Sequence, residues 1–171
     1  MKPREASLSH ETLTRVLDYD PATGVFVWKE RTSNRVKVGA AAGNVTPFGY
    51  MSIQLLGWAY LAHRLAWFYV HGVWPKEEVD HRDGDGINNK LSNLREANSS
   101  QNKMNRRPRP ETKVGLKGVY LHKENPPQYR ARIKSADGKV HHLGLFPTAE
   151  EAHAAYAAAS HKYHGEYGRS T

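Results

Sequence analysis

The chain has 171 residues, 39% of them hydrophobic, no cysteine and a net charge of +8. That length holds one ordinary domain or two small ones, and a mean hydropathy of −0.73 describes a water-facing chain with modest cores. No run approaches a membrane span, disulfides and thiolate zinc sites are excluded, and the opening MKPREASLSHE, lacking an apolar stretch, points to an intracellular protein that is not secreted.

In chain order, residues 9 to 17 read as a short helix with Ser9 as N-cap and Leu13, Val16 and Leu17 on one face. Asp20 to Gly24 is a turn, and Val25 to Trp28 a strand. Gly49 to Leu55 and Trp58 to Leu61 form a hairpin around Leu56-Gly57. Ala62 to Val70 is a buried helix, stopped by Gly72 and Trp74-Pro75. Next come a strand over Glu78 to His81, a turn at Gly84 to Gly86, a returning strand at Leu94-Arg95, and a helix from Asn98 to Asn105. The tract Arg106-Arg107-Pro108-Arg109-Pro110 cannot continue a helix and reads as a basic linker over 106–116, able to lie along phosphates.

From Gly118, three strands are expected at Val119 to Leu121, Tyr129 to Lys134 and Val140 to Gly144. Thr148 to Glu151 is a capping box that opens an alanine-rich helix to about His161. Alternation puts Arg130, Arg132 and Lys134 on one sheet face and Ala131 and Ile133 on the other, toward that helix. The expected class is therefore α+β, with a mixed N-terminal region over 1–105 and a small three-stranded sheet packed on one helix over 117–171.

The charge is not spread evenly. Lys103 to His142 holds eleven Lys/Arg against three acids, and the rest of the chain carries fourteen of each sign. A polyanion, above all nucleic acid, fits such a segment better than a membrane surface, because no basic amphipathic helix lies there.

The stretch VDHRDGDGINNKLSNLREANSSQNKMN concentrates the chemistry. Asp80 can hold a hard cation, His81 can take a proton from water, and Asn102 can close a metal site from the following helix. Asp83 to Gly86 suggests a calcium loop, but the twelfth position from Asp83 is Leu94, not a bidentate Glu. Asn88 and Asn89 read as loop formers.

The order and offsets of Asp80-His81, Asn93 and Asn102 resemble the HNH endonucleases, in the variant with Asn in place of the last His. The upstream match, from Leu17-Asp18-Tyr19-Asp20 through Ala62-His63-Arg64-Leu65 to Arg106, resembles small phage members. The resemblance implies a ββα-metal finger over about 78–105. His81 activates water, Asp80 and Asn102 bind a divalent metal (Mg²⁺, with Mn²⁺ as the substitute), and Asn93 ties the loop so that His81 points correctly. Arg64 could contact the scissile or a neighbouring phosphate, and Arg95 is open to a phosphate contact or a structural ion pair.

Gly118-Val119, Tyr129 to Ile133, Leu143 to Phe146, Thr148 to Ala159 and His164-Gly165 resemble the DNA-binding domain of plant APETALA/ethylene-response factors. That likeness implies a sheet face in the major groove of double-stranded DNA, contacted by Lys117, Tyr120, His122, Arg130, Arg132, Lys134 and His142, with Arg106 and Arg107 in the linker. Lys117, Tyr120 and His122 stand where plant members carry arginine, so the target differs from theirs. Together the resemblances imply a phage- or mobile-element-type DNA endonuclease, acting as a monomer or weak homodimer, that nicks or cuts both strands. A non-catalytic DNA-binding regulator on the same scaffold is the alternative, and an RNA-directed protein lacks the aromatic sheet motif it would need.

Overall fold

The computed structural model describes residues 3–106 and 114–169. Arg107 and most of the basic linker lie outside the described residues. The chain divides into two compact units, with the boundary between Ala97 and Asn98. The architecture is α+β, built from small antiparallel sheets and short helices.

The first unit opens with α1 (Pro3–Ala6) and α2 (His10–Val16). Ser9 caps α2, its Oγ accepting from Thr12 N–H at 3.1 Å. The helix ends one residue earlier than the sequence suggests, because Leu17 begins β1 (Leu17–Asp20), which pairs with β2 (Val25–Trp28) from Leu17↔Trp28 to Asp20↔Val25. Within β1, Leu17 and Tyr19 are buried while Asp18 and Asp20 face out, a period of two hidden in four residues of mixed polarity. A second sheet has the order β3 (Asn44–Val45), β4 (Met51–Leu55), β5 (Trp58–Leu61).

Strand β5 runs straight into α3 (Ala62–His71), which buries Ala62, His63, Leu65, Ala66 and Phe68. Gly72 ends it in the left-handed conformation, φ 70°, its N–H returning to Phe68 O. Leu13, Leu17, Phe26, Ile53, Leu55, Tyr60 and Leu65 make the core under these elements. The last strands are β6 (Glu78–His81) and β7 (Leu94–Ala97), antiparallel, with Asp80 opposite Arg95 and His81 opposite Leu94.

The second unit starts with α4 (Ser99–Asn105), so the predicted order strand, loop, strand, helix over 78–105 is present. Asn98 and Gln101 form a reciprocal capping box: Asn98 Oδ1 accepts from Ser100 and Gln101 N–H, and Gln101 Oε1 accepts from Asn98 N–H. Strands β8 (Val119–Glu124), β9 (Pro127–Lys134) and β10 (Val140–Phe146) form a sheet ordered β10-β9-β8, covered by α5 (Ala149–His164).

Each of these elements is somewhat longer than its sequence signal. Alternation holds: Ala131 and Ile133 are buried toward α5, while Arg132 and Lys134 are exposed. The helix buries Ala152 and Tyr156 as expected, then Ser160 and His164, with Ala155 packed beside them. Gly118, φ 76°, lets α5 approach: a Cβ there would lie 1.9 Å from the Tyr156 ring. Among the described residues, no helix is long and apolar enough to cross a membrane.

Candidate active site and exposed basic sheet

Cross-strand pairing at the end of β6–β7 decides where the polar groups of the first unit go. Asp80 and Arg95 are opposed, and the guanidinium donates to Asp80 Oδ2 from Nε at 3.0 Å and from Nη2 at 2.8 Å. Both side chains are only 6% exposed, so each buried charge has the other as its partner. Of the two roles open to Arg95, this is the ion pair.

His81, the next residue along, is also buried. Its Nε2 lies 3.1 Å from Asn89 Oδ1, and Asn89 Nδ2 donates to Ile87 O at 3.2 Å. The second bond orients the amide, so its oxygen faces the imidazole and accepts from Nε2 in the tautomer protonated there. His63 from α3 stands edge-on to the His81 ring, centroids 4.9 Å apart, and Tyr50 lies 6.0 Å from it.

The loop between the strands is held from within. Asn93 Nδ2 donates to Asp83 Oδ1 at 2.9 Å and to Asn88 O at 2.8 Å, while Asn93 Oδ1 accepts from Asp83 N–H. Partial burial pushes the Asp83 carboxyl up. Hydrogen bonds from the Asp85 N–H, Asn93 and Asn88, with the nearby His81 charge, outweigh that and hold it below its ordinary value.

Two earlier hairpins clamp the same loop from outside. At the β1–β2 turn a Cβ on Gly24 (φ 77°) would fall 2.4 Å from Asn89 C and Lys90 N; nearby, Leu91 N–H donates to Pro21 O. Tyr19 Oη donates to Asn89 O at 2.7 Å, and burial followed by the Asp20 charge pushes that phenol up to about 12. On the other side, a Cβ on Gly86 would fall 2.4 Å from Gly49 O. The N-terminal sheets are thus the frame that fixes Asn89, and through it His81.

Asn89 is the residue the sequence reading missed as a site group. It was grouped with Asn88 because the two are chemically identical neighbours; only the clamped backbone turns one toward His81. Arg64, a candidate phosphate contact, is tied into the first unit instead. It donates to Glu5 Oε1 at 2.8 Å, to Glu77 O and to Pro75 O, with its side chain 11% exposed. Glu5 sits on α1, a helix the sequence did not signal.

Asn102, the other candidate metal ligand, is half-buried on α4, its N–H bonded to Asn98 O. An Asp carboxylate and an Asn amide are hard oxygen donors suited to Mg²⁺ or Mn²⁺. Among the described residues no three His, Cys, Asp or Glu side chains gather into a metal-binding group.

In the second unit the exposed sheet face carries Tyr120, Arg130, Arg132 and Lys134, with Tyr120 opposite Arg130 and Arg132 opposite His142. The Arg132 guanidinium lies 4.1 Å over the Tyr120 ring, and Arg130 bonds His122 Nδ1. Arg106 is exposed at the end of α4. Lys117 is not on this face: its ammonium donates to Met104 O, and burial, with the Arg169 charge, lowers its pKa to about 8.

Residues 60–104 match the family model described as HNH endonuclease. The match runs from the end of β5 through α3, the β6–β7 loop and α4, and so contains Asp80, His81, Asn89, Asn93 and Asn102. The segment is similar to nucleases of that family, which generally use a divalent metal. No curated protein matches the chain.

Proposed function

We propose, from the HNH endonuclease segment over residues 60–104, that the protein is a metal-dependent endonuclease hydrolysing phosphodiester bonds in double-stranded DNA, held on its substrate by the sheet of the second unit. The observation that carries this reading is the His81–Asn89 bond. It selects the imidazole tautomer whose Nδ1 can accept a proton from water, inside a loop clamped by Asn93, Gly24 and Gly86. A positioned base of this kind is worth on the order of 10²–10⁴-fold in rate.

Asp80 and Asn102 would hold the divalent ion, whose chemistry when bound is Lewis-acid stabilisation of the phosphate and the leaving oxygen. Arg95 holds Asp80 oriented for that task through its two bonds to Oδ2. Asn93 is a loop tie. DNA contact falls to the exposed groups Arg106, Tyr120, His122, Arg132, Lys134 and His142 and the half-buried Arg130, joined by Lys117. Arg107 belongs to the same basic tract by sequence. Arg64 and Arg95, bound within the fold, are assigned to structure.

The test is cleavage of supercoiled and linear DNA with Mg²⁺ or Mn²⁺, alongside His81→Ala and an EDTA control. The expected result is metal-dependent nicked or linear product, absent from the variant, which retains DNA affinity. A His81→Ala protein of full activity overturns the mechanism. Tight, salt-sensitive binding without cleavage across a library of target sequences points instead to a DNA-binding regulator.

A further inference from the structure

The second unit contains a cleft of about 400 Å³ that the sheet-face reading does not use. Lys103 of α4, Lys117, and Arg132 and Lys134 of β9 all line it, with the hydroxyl-bearing Ser99 and Ser100 at one end. No Asp or Glu is among the described residues that line it. Four cations converging on a concave surface without a carboxylate repel one another, and that cost is offset when an anion enters. Lys117 is drawn partly out of water beside Met104 O, and burial, with the Arg169 charge, lowers its pKa to about 8.

We infer that this cleft is a phosphate site, which takes a phosphodiester of the DNA strand on Lys103, Lys117 and Lys134. Arg132 and Lys134 belong both to the exposed sheet face and to the cleft wall, so a strand crossing the sheet can seat its backbone there without leaving that surface. Its far wall is α4, the helix that carries Asn102, so one phosphate would engage the DNA-reading sheet and the helix of a candidate metal ligand together. The ligand rests on DNA being the substrate; the chemistry, a phosphate dianion or diester among ammonium groups, does not.

A phosphate beside Lys117 favours its charged form, so binding takes up a proton once the pH exceeds the free value. The groups facing Lys117 are Lys103 from α4, Tyr120 from β8, Arg132 and Lys134 from β9, Tyr156 and His164 from α5, and Arg169, with His153 bonded to its carbonyl. Burial lowers His164 below its ordinary value, and Tyr156 is pushed up to about 12, so neither titrates in the window where Lys117 does.

The test measures duplex binding by the full chain, in EDTA, as a function of salt and pH. Wild-type affinity should fall roughly tenfold between about pH 7 and about pH 9. Lys117→Met should bind more weakly, lose that pH step, and show a log–log salt slope shallower by about one. Lys117→Arg, which cannot lose its proton, should keep the slope and lose the step. Thermal melts of both variants establish that the unit folds, and the Arg variant decides the matter if the Met variant does not fold.

Inorganic phosphate at constant ionic strength separates the sources. Displacement of DNA from wild type but not from Lys117→Met means free phosphate enters the cleft as well; no displacement leaves the diester as its ligand. An unchanged slope and pH response in Lys117→Met overturns the proposal. A pH step that survives in a protein unable to cleave DNA leaves the cleft standing and removes the nuclease reading, while cleavage without the step does the reverse.

Discussion

The two units handle charge in opposite ways. In the first, polar groups are turned on one another: Arg95 on Asp80, Asn89 on His81, Asn93 on Asp83, Arg64 on Glu5. In the second, Arg132 and Lys134 stand exposed on the sheet, and the lysines around the α4 cleft converge without a carboxylate among the lining residues described. A site that must hold an imidazole and a carboxylate in fixed orientation needs each to be bonded, since a loose ring or an uncompensated charge loses both geometry and stability. A surface that must take a polyanion needs cations left for the ligand. Opposite charges paired on each other mark the candidate chemistry, and cations without a carboxylate among the described lining residues mark the candidate docking face.

The largest expected break of this contrast is Arg95→Ala. It strands Asp80 as a buried charge, and loss of one partner from a buried pair costs about 3–5 kcal/mol. Denaturant unfolding should report that loss in the first unit. Replacing both partners together, Asp80→Leu with Arg95→Met, should restore stability close to wild type while cleavage stays absent. If the single variant is as stable as wild type, the pair is not the internal neutralisation described here.

Asn89→Ala tests the next tier. Removing the acceptor for the His81 Nε2 proton releases the ring without touching the DNA face. Cleavage should fall on the order of 10–100-fold, the range seen when a group orienting an active imidazole is lost. DNA affinity and the second unit's melting should be unchanged. An equal loss of affinity would mean that Asn89 acts on the substrate and not through His81.

How far these roles were legible beforehand follows the same division. Asp80, His81, Asn93 and Asn102 declare themselves by spacing, because a strand end, a loop tie and a helix face each need a fixed offset along the chain. The sheet face was legible through alternation, since Ala131 and Ile133 between arginines leave one register for burial. What could not be read was anything decided by contacts distant in sequence. Glu5 meets Arg64 across 59 residues, and Tyr19 meets Asn89 across 70. Nothing local separates Asn89 from Asn88, nor shows that Lys117 turns away from the sheet into a cleft.

On the docking side, Arg132→Ala should weaken DNA binding by ~1–3 kcal/mol at one base position if the side chain reads a base. The Tyr120 ring beneath the guanidinium pre-positions it, so Tyr120→Ala should give a smaller loss of the same pattern. Equal losses on every sequence would assign Arg132 to a phosphate instead. Cleavage rate per bound complex should hold in both variants, which separates this surface from the catalytic loop.

The smallest effect concerns acid. His164 Nε2 donates to Lys134 O at 2.8 Å under the sheet, and burial lowers its pKa, aided by the Lys117 charge and only partly opposed by the Lys134 carbonyl. Because the folded value lies below the unfolded ~6.5, the unfolded chain binds more protons in mild acid. The contribution is therefore complete above that pH and lost as the pH falls through the folded value. Asp83 in the first unit is lowered too, but as a carboxylate its contribution persists until the pH falls through the carboxylate range. On acidification the second unit should melt at lower temperature first, with the first unit following only at more acid pH. His164→Gln, which retains a donor for Lys134 O, should flatten the first of these slopes. Parallel decline of both units in wild type would mean that this imidazole does not set the acid sensitivity of the second unit.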